Sequence, residues 1–164
     1  LSYFTIWSQI VVGITMTLLW RNPTRSEPWL KWLRLDSVMM IAVTGIVYNI
    51  LLGPAYPPVG LNKISSPIEH TITPLITVIV FFAFGPRGWF SWSNIGKALL
   101  IPIGYVIYTL IRGVIIGMYP YGFFDVVVNG YAGVLSFVGA ILVASLVVMM
   151  IFWAIERAVS NRRS

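Results

Sequence analysis

The sequence predicts an all-α protein, a polytopic bundle of transmembrane helices. Of its 164 residues, 58% are hydrophobic and only 10% are charged, and the mean hydropathy is +0.86. A soluble domain carries about a quarter charged residues, so this composition indicates a protein solvated by lipid. The apolar runs are continuous, whereas the strands of a membrane β-barrel alternate polar and apolar residues. The length allows one domain, residues 1–164.

Five apolar runs approach the roughly 20 residues that cross a bilayer as a helix. They cover about 1–20, 35–52, 67–84, 95–118 and 126–155. The first residue is not Met, and no charged segment precedes the first run, which argues against a signal peptide. We therefore expect another span before Leu1, which would give six helices with both ends in the cytoplasm.

The basic residues predict the orientation. If the five runs alternate in direction, nine of the eleven basic residues share one side: Arg21, Arg25, Lys31, Arg34, Arg87, Lys97, Arg157, Arg162 and Arg163. The positive-inside rule assigns this side, with the C-terminus, to the cytoplasm. Topology thus explains the net charge of +6, and nucleic acid is not an expected partner. With no cysteine and one histidine, we expect neither a metal site nor a cofactor.

Polar residues concentrate toward the opposite, outer ends of the runs: Thr5, Tyr48, Asn49, Glu69, His70, Asp125 and Asn129. Thr5 should lie roughly 6 Å below the outer end of its helix, by helical rise. Polar groups are costly in a membrane, so this convergence predicts a cavity open to the outer leaflet. In the cytoplasmic half, Asp36 stands nearly alone, and we interpret it as compensating the helix dipole at the start of the second span.

Arg112 lies within the fourth run, roughly 22 Å beyond Lys97. An arginine at this depth needs a partner, and Glu69 and Asp125 are the candidate counter-ions. The alternatives are a structural ion pair or an anchor for an anionic headgroup or a fatty-acid carboxylate. The neighbouring glycines, Gly113 and Gly117, are spaced as in GxxxG motifs and predict close helix packing.

The third run begins with Ser66-Pro67-Ile68-Glu69, which fits a capping box with proline at the first helical position. His70 would then occupy the first turn, where the helix dipole favours the neutral imidazole that a general base requires. Pro74 has no N–H for the His70 carbonyl, so that oxygen is left for water or a partner, and the helix can kink there. A simpler interpretation makes His70 an interfacial anchor and Thr5 a packing residue or a donor to its own helix.

Three stretches together resemble a known family. They are Tyr3-Phe4-Thr5, Glu69-His70-Thr71 leading into Pro74, and Ile111-Arg112-Gly113 followed by Tyr119-Pro120-Tyr121 and Asp125. The chain resembles the bacterial branch of the androgen-induced six-helix membrane proteins, to which the androgen-dependent tissue-factor-pathway regulator is related. The resemblance covers most of the chain in topology, with few motif residues. It implies an intramembrane threonine hydrolase of the bacterial plasma membrane, with Thr5 as nucleophile and His70 as base.

The expected reaction is hydrolysis of a lipid or fatty-acid ester near the outer leaflet. His70 would take the proton of Thr5 as its oxygen attacks the ester carbonyl. The candidate oxyanion or substrate-binding groups are Arg112, Asn49, Asn129 and Tyr48. Glu69 and Asp125 would support the site, and Asp125 is the better candidate to orient His70, because Glu69 points about 100° away on the same helix.

The main alternative is a non-catalytic membrane subunit or lipid-binding scaffold. Its partners would be membrane lipids or other membrane protein subunits, and the polar cluster would only hold helices together. A transporter is less favoured, because no inverted repeat is evident and the cytoplasmic half offers almost no polar path.

Overall fold

The computed structural model describes residues 2–85 and 87–161, which form helices and connections without any strand. The predicted all-α class is therefore confirmed, while the predicted positions of Leu1, Arg162 and Arg163 lie outside the described residues. The helices are α1 Phe4–Arg21, α2 Pro28–Val47, α3 Gly53–Ala55, α4 Asn62–Pro67, α5 Thr73–Phe84, α6 Trp92–Lys97, α7 Leu100–Ile116 and α8 Val126–Asn161. Two π-helical segments, Tyr48–Leu52 and Ile68–Ile72, join α2 to α3 and α4 to α5, and a 3-10 turn, Gly122–Phe124, precedes α8.

Four mainly helical stretches of the described chain are long and apolar enough to cross a membrane. They are Pro28–Ala55, Asn62–Phe84, Trp92–Ile116 and Val126–Val159. α1 is not among these four, but its 18 residues rise roughly 27 Å and it packs along α2. The chain is thus compatible with an integral membrane bundle. The first two of these stretches begin seven and five residues before the predicted runs 35–52 and 67–84, because these helices include polar residues that precede the apolar runs.

α2 is the central helix of the bundle. Every residue from Arg34 to Gly45 is buried, and α1, α5, α6 and α8 all contact this helix. A helix covered on all sides in this way forms the core of its domain. Leu35 and Met39 of α2 pack in one apolar cluster with Phe81 of α5 and Met149 of α8. This packing fixes the relative positions of the helices that carry the polar residues.

The end of the bundle formed by connections 22–27 and 85–91 is called the basic end below. Its interior is more polar than predicted, because Arg34, Asp36 and Glu156 are all at least 95% buried. The Arg34 guanidinium lies 5.3 Å from the centre of the Phe81 ring, and the Gly88 N–H donates to Glu156 at 2.9 Å. The dipole interpretation of Asp36 is wrong, because α2 already begins at Pro28 and Asp36 lies in its third turn.

At the opposite end, the connection between α7 and α8 turns inward. Gly117 ends α7 in the left-handed conformation (φ +67°), as glycine commonly does at a helix C-terminus. The Tyr119 ring then covers Gly113 so closely that a Cβ at Gly113 would overlap it. The prediction of a GxxxG helix-packing motif is therefore wrong, since both glycines serve the reversal of the chain. Phe124, further along the same connection, is buried in the bundle.

The start of α1 lies well inside the bundle. Tyr105 donates its hydroxyl to the Ser2 carbonyl at 2.9 Å, and α7 continues from Tyr105 to Ile116, a rise of roughly 16 Å. The helical stretch from Asn62 to His70 likewise rises roughly 12 Å beyond the level of His70. α1 itself begins at Phe4, so Thr5 is not roughly 6 Å below the end of its own helix as predicted. Its contact with His70 places it below the ends of the neighbouring helical stretches instead.

Candidate active site around Thr5 and His70

Two prolines widen the helical turns that carry the polar residues of this site. Pro54 and Pro74 have no N–H, so the carbonyls four residues earlier lose their usual helical donor. In both places the residue before the proline bonds five residues back: Gly53 N–H to the Tyr48 carbonyl, and Thr73 N–H to the Ile68 carbonyl. These bonds define π-helical turns, which frequently mark functional sites.

The carbonyls freed by the second π turn bind side chains of two other helices. Asn49 Nδ2 donates to the His70 carbonyl at 3.0 Å, and Gln9 Nε2 donates to the Glu69 carbonyl at 3.0 Å. Asn49 Nδ2 also donates to Gly45 at 2.8 Å, and its Oδ1 accepts from Thr71 at 3.1 Å. The expected partner of the His70 carbonyl is thus a side chain. These bonds lock the His70 backbone against α1 and α2.

Thr5 and His70 form a directed hydrogen-bonded pair. Thr5 Oγ1 lies 3.1 Å from His70 Nε2, and His70 Nδ1 lies 2.9 Å from the Ser66 carbonyl oxygen. A carbonyl only accepts, so Nδ1 carries the ring hydrogen and Nε2 keeps its lone pair for the Thr5 hydroxyl. The Tyr48 ring stacks on the imidazole at 3.7 Å and 15°, which fixes the ring plane. This tautomer and geometry are those of a general base poised on a hydroxyl.

Thr5 is free for this contact because of its place in α1. Six other hydroxyls of the long helices donate to carbonyls three or four residues earlier: Ser8, Thr15, Thr17, Ser37, Ser136 and Ser145. Thr5 is the second residue of α1, so no helical carbonyl lies four residues before it. The simpler interpretation, a bond from Thr5 to its own helix, is not what the structure shows.

Tyr121 is a site residue to which the sequence assigned no role. The connection between α7 and α8 brings its hydroxyl to the start of α1, where it accepts the Phe4 N–H at 3.1 Å. Phe4 directly precedes Thr5, and both residues line the same cleft as Tyr121. Burial raises the pKa of Tyr121 above its ordinary value, so the phenol keeps its proton. The Tyr119-Pro120-Tyr121 stretch was the available signal, but only folding of the connection reveals the contact.

An apolar cleft begins at Thr5 and extends between α2, α7 and α8. The space between its side chains, including the open mouth, is about 660 Å³. Val43, Val47, Val138 and Leu142 are among its lining residues, together with Phe124. Two hydroxyls in the lining, Thr44 and Ser145, already donate to Ser8 Oγ and to the Ile141 carbonyl. The cavity is therefore suited to hydrocarbon.

Arg112 and Asp125 lie at helix ends and do not contact the pair. Arg112 Nη1 donates to the Met118 carbonyl at 3.2 Å, just beyond the end of α7. Asp125 Oδ1 accepts the N–H groups of Val127 at 2.9 Å and Val128 at 3.3 Å, which caps α8. The predicted counter-ions of Arg112 are wrong, because the only ion pair within residues 2–85 and 87–161 joins Arg25 to Glu27. The orienting group of His70 is the Ser66 carbonyl, not Asp125.

Three further predictions fail for local reasons. Asn129 Nδ2 donates to the carbonyls of Gly122 at 2.7 Å and Asp125 at 3.0 Å. Asn49 Nδ2 likewise donates to two carbonyls, those of Gly45 and His70. Neither amide therefore has an N–H left to donate to an oxyanion. The capping box is absent, because the helix already begins at Asn62 and Ser66 lies near the end of α4. The Glu69 side chain is exposed, and its residue contributes to the site through its carbonyl.

Comparisons with protein-family models, curated proteins and solved structures gave no match to this chain. Within the described residues, no group of three His, Asp or Glu side chains is placed to hold a metal ion.

Changing Asn49 to Asp tests how much the hydrogen bonds from Asn49 to the His70 and Gly45 carbonyls stabilise the protein. The carboxylate keeps the shape and the acceptor for Thr71 but cannot donate to the carbonyls of His70 and Gly45. Leaving these oxygens unpaired should lower the free energy of unfolding by about 1–3 kcal/mol, which thermal unfolding in detergent would show as a lower Tm. The exposed Asn62→Asp is the matched control. An unchanged Tm in Asn49→Asp would show that these hydrogen bonds contribute nothing to the free energy of unfolding.

Proposed function

We propose that this protein is an intramembrane threonine hydrolase that cleaves lipid or fatty-acid esters. The observation that carries the proposal is the directed contact of Thr5 Oγ1 with His70 Nε2 at 3.1 Å, with Nδ1 held by the Ser66 carbonyl. A nucleophile, its base and a group that orients the base are the parts that covalent ester hydrolysis requires. The resemblance to the androgen-induced six-helix proteins supports the same pair.

The reaction follows from this arrangement. His70 Nε2 accepts the Thr5 proton as Oγ1 bonds to the ester carbonyl carbon, and the carbonyl electron pair moves to its oxygen. Collapse of this intermediate breaks the bond to the leaving alcohol, which takes the proton from Nε2 and leaves an acyl-threonine. Water, deprotonated by His70, then attacks the acyl carbonyl. The fatty acid leaves, and the Thr5 hydroxyl is restored.

The cleft and its depth favour a lipid substrate. Thr5 lies among helices that continue roughly 12–16 Å beyond it, by helical rise, so a substrate must reach the pair within the apolar part of the bundle. The acyl chain would occupy the cleft beside Val138 and Leu142, with the ester carbonyl at Thr5. By the positive-inside rule, the basic end and the C-terminus would face the cytoplasm of a bacterial cell. The pair would then act from the outer half of the membrane.

The apolar cleft also supports the second candidate function, a lipid-binding scaffold or membrane subunit that holds an acyl chain without chemistry. The two functions differ in turnover. Purified protein in mild detergent should hydrolyse p-nitrophenyl esters, with rates that increase from acetyl to medium-chain acyl groups as the cleft is filled. Thr5→Ala, purified in parallel, gives the background from contaminating esterases. A folded protein that binds the esters but releases no more nitrophenol than Thr5→Ala would favour the scaffold.

A further inference from the structure

The proposed hydrolysis needs a donor for the oxyanion that forms on the carbonyl oxygen. Asn49, Asn129 and Arg112 donate elsewhere in the structure. Among the other hydroxyls that line the cleft, those of Thr44, Tyr105 and Ser145 also donate elsewhere. This leaves the hydroxyls of Tyr48 and Tyr121. Tyr48 already has a different part in the site, because its ring stacks on His70.

We propose that the Tyr121 hydroxyl is the oxyanion donor of this site, an inference that rests on the proposed hydrolase function. Tyr121 lines the same cleft as Thr5, and its oxygen accepts the N–H of Phe4, the first residue of α1 and the neighbour of Thr5 in the chain. A carbonyl carbon bonded to Thr5 Oγ1 would place its oxygen beside Thr5 in this cleft, which the Tyr121 side chain also lines.

The start of α1 strengthens the Tyr121 donor. The Phe4 N–H donates to Tyr121 Oη at 3.1 Å, and the positive end of the α1 dipole lies at the same oxygen. A hydroxyl whose oxygen accepts hydrogen bonds becomes a better donor, because chains of hydrogen bonds polarise one another. The acceptor side of Oη is occupied by α1, so the hydroxyl hydrogen is left for an oxygen in the cleft. Tyr121 donates only a hydrogen bond, and it keeps its proton throughout the reaction.

The ring of Tyr121 is held independently of its hydroxyl. It stacks on Phe123 at 5.1 Å and 5°, and it packs edge-on against Tyr3 at 5.7 Å. A phenylalanine at this position keeps both ring contacts. Tyr121→Phe therefore removes the hydroxyl while retaining the packing of the connection.

Tyr121→Phe should reduce kcat for p-nitrophenyl ester hydrolysis about 10²–10³-fold, the usual cost of one lost oxyanion donor, with KM changed only a few-fold. Labelling of Thr5 by a fluorophosphonate, whose P–O oxygen mimics the oxyanion, should slow in parallel. Site-specific 3-fluorotyrosine, which keeps a donor, should restore most of kcat. Tyr131→Phe, an exposed tyrosine of α8, is the control and should match the unmodified protein.

Three outcomes would overturn the Tyr121 assignment. The first is an unchanged kcat in Tyr121→Phe, and the second is a kcat loss confined to Tyr48→Phe. The third is a loss in KM and Tm alone, which would indicate a structural role. These outcomes bear on Tyr121 only if the fluorophosphonate labels Thr5 in the unmodified protein. Failure of that labelling contradicts the hydrolase function itself, so the two failures are distinguishable.

Discussion

Thr5→Ala is expected to reduce ester hydrolysis to the uncatalysed background, and His70→Ala to reduce kcat about 10²–10⁴-fold. In the proposed mechanism Thr5 supplies the oxygen that becomes acylated, so no covalent pathway would remain without it. His70 would remove the proton from that oxygen, and general-base catalysis typically contributes this much. The rates should be measured with purified variants whose thermal unfolding in detergent shows an intact bundle.

Thr17→Ala is the matched control for the nucleophile. Thr17 lies on the same helix, but its hydroxyl donates to the Gly13 carbonyl at 2.7 Å and faces away from the site. Its loss should leave kcat unchanged. The double variant Thr5→Ala with His70→Ala should be no worse than Thr5→Ala alone, because the two residues act as one unit. Normal turnover in Thr5→Ala would remove the basis of the proposed mechanism.

Val138→Phe is expected to reverse the preference for acyl-chain length. Val138 is 8% exposed and lines the cleft, so the larger ring would fill space that the acyl chain needs. Each methylene that can no longer enter an apolar site forfeits about 0.8 kcal/mol, so four of them amount to roughly 3 kcal/mol. This predicts a fall of about 100-fold in kcat/KM for octanoyl esters, with acetyl esters hydrolysed within a few-fold of the unmodified rate.

Val143→Phe makes the same change on the exposed face of the same helix. Val143 is 60% exposed and does not line the cleft, so its profile should match that of the unmodified protein. If Val138→Phe and Val143→Phe gave the same chain-length profile, the acyl chain would not occupy this cleft. If acetyl and octanoyl esters fell equally in Val138→Phe, the defect would lie in packing, since added bulk in a core costs about 1–3 kcal/mol.

The fold class and the free carbonyl at His70 were predictable because each depends on a local pattern. Continuous apolar runs predict helices, and the lack of an N–H in Pro74 predicts a free carbonyl at His70. The bond from Asn49 to that carbonyl bears out the second argument. Thr5 and His70 were paired through the resemblance, and the structure places them in contact.

The other site residues depend on how segments pack, which no local pattern contains. The Ser66 carbonyl orients His70 only because the helix begins at Asn62 and opens into a π turn. Tyr121 reaches the start of α1 only because its connection folds into the bundle. Asp125 and Arg112 looked like an ion pair because charges in a membrane need partners, but backbone groups at helix ends satisfy them.

The most direct test of the central claim is covalent trapping. The unmodified protein in mild detergent would be treated with an alkyl fluorophosphonate, and the modified residue located by mass spectrometry. We expect a single adduct on Thr5, strongly reduced in His70→Ala, because the base must activate the hydroxyl. A folded protein that forms no adduct, or one that labels equally in His70→Ala, would contradict the assignment of Thr5 and His70 as nucleophile and base.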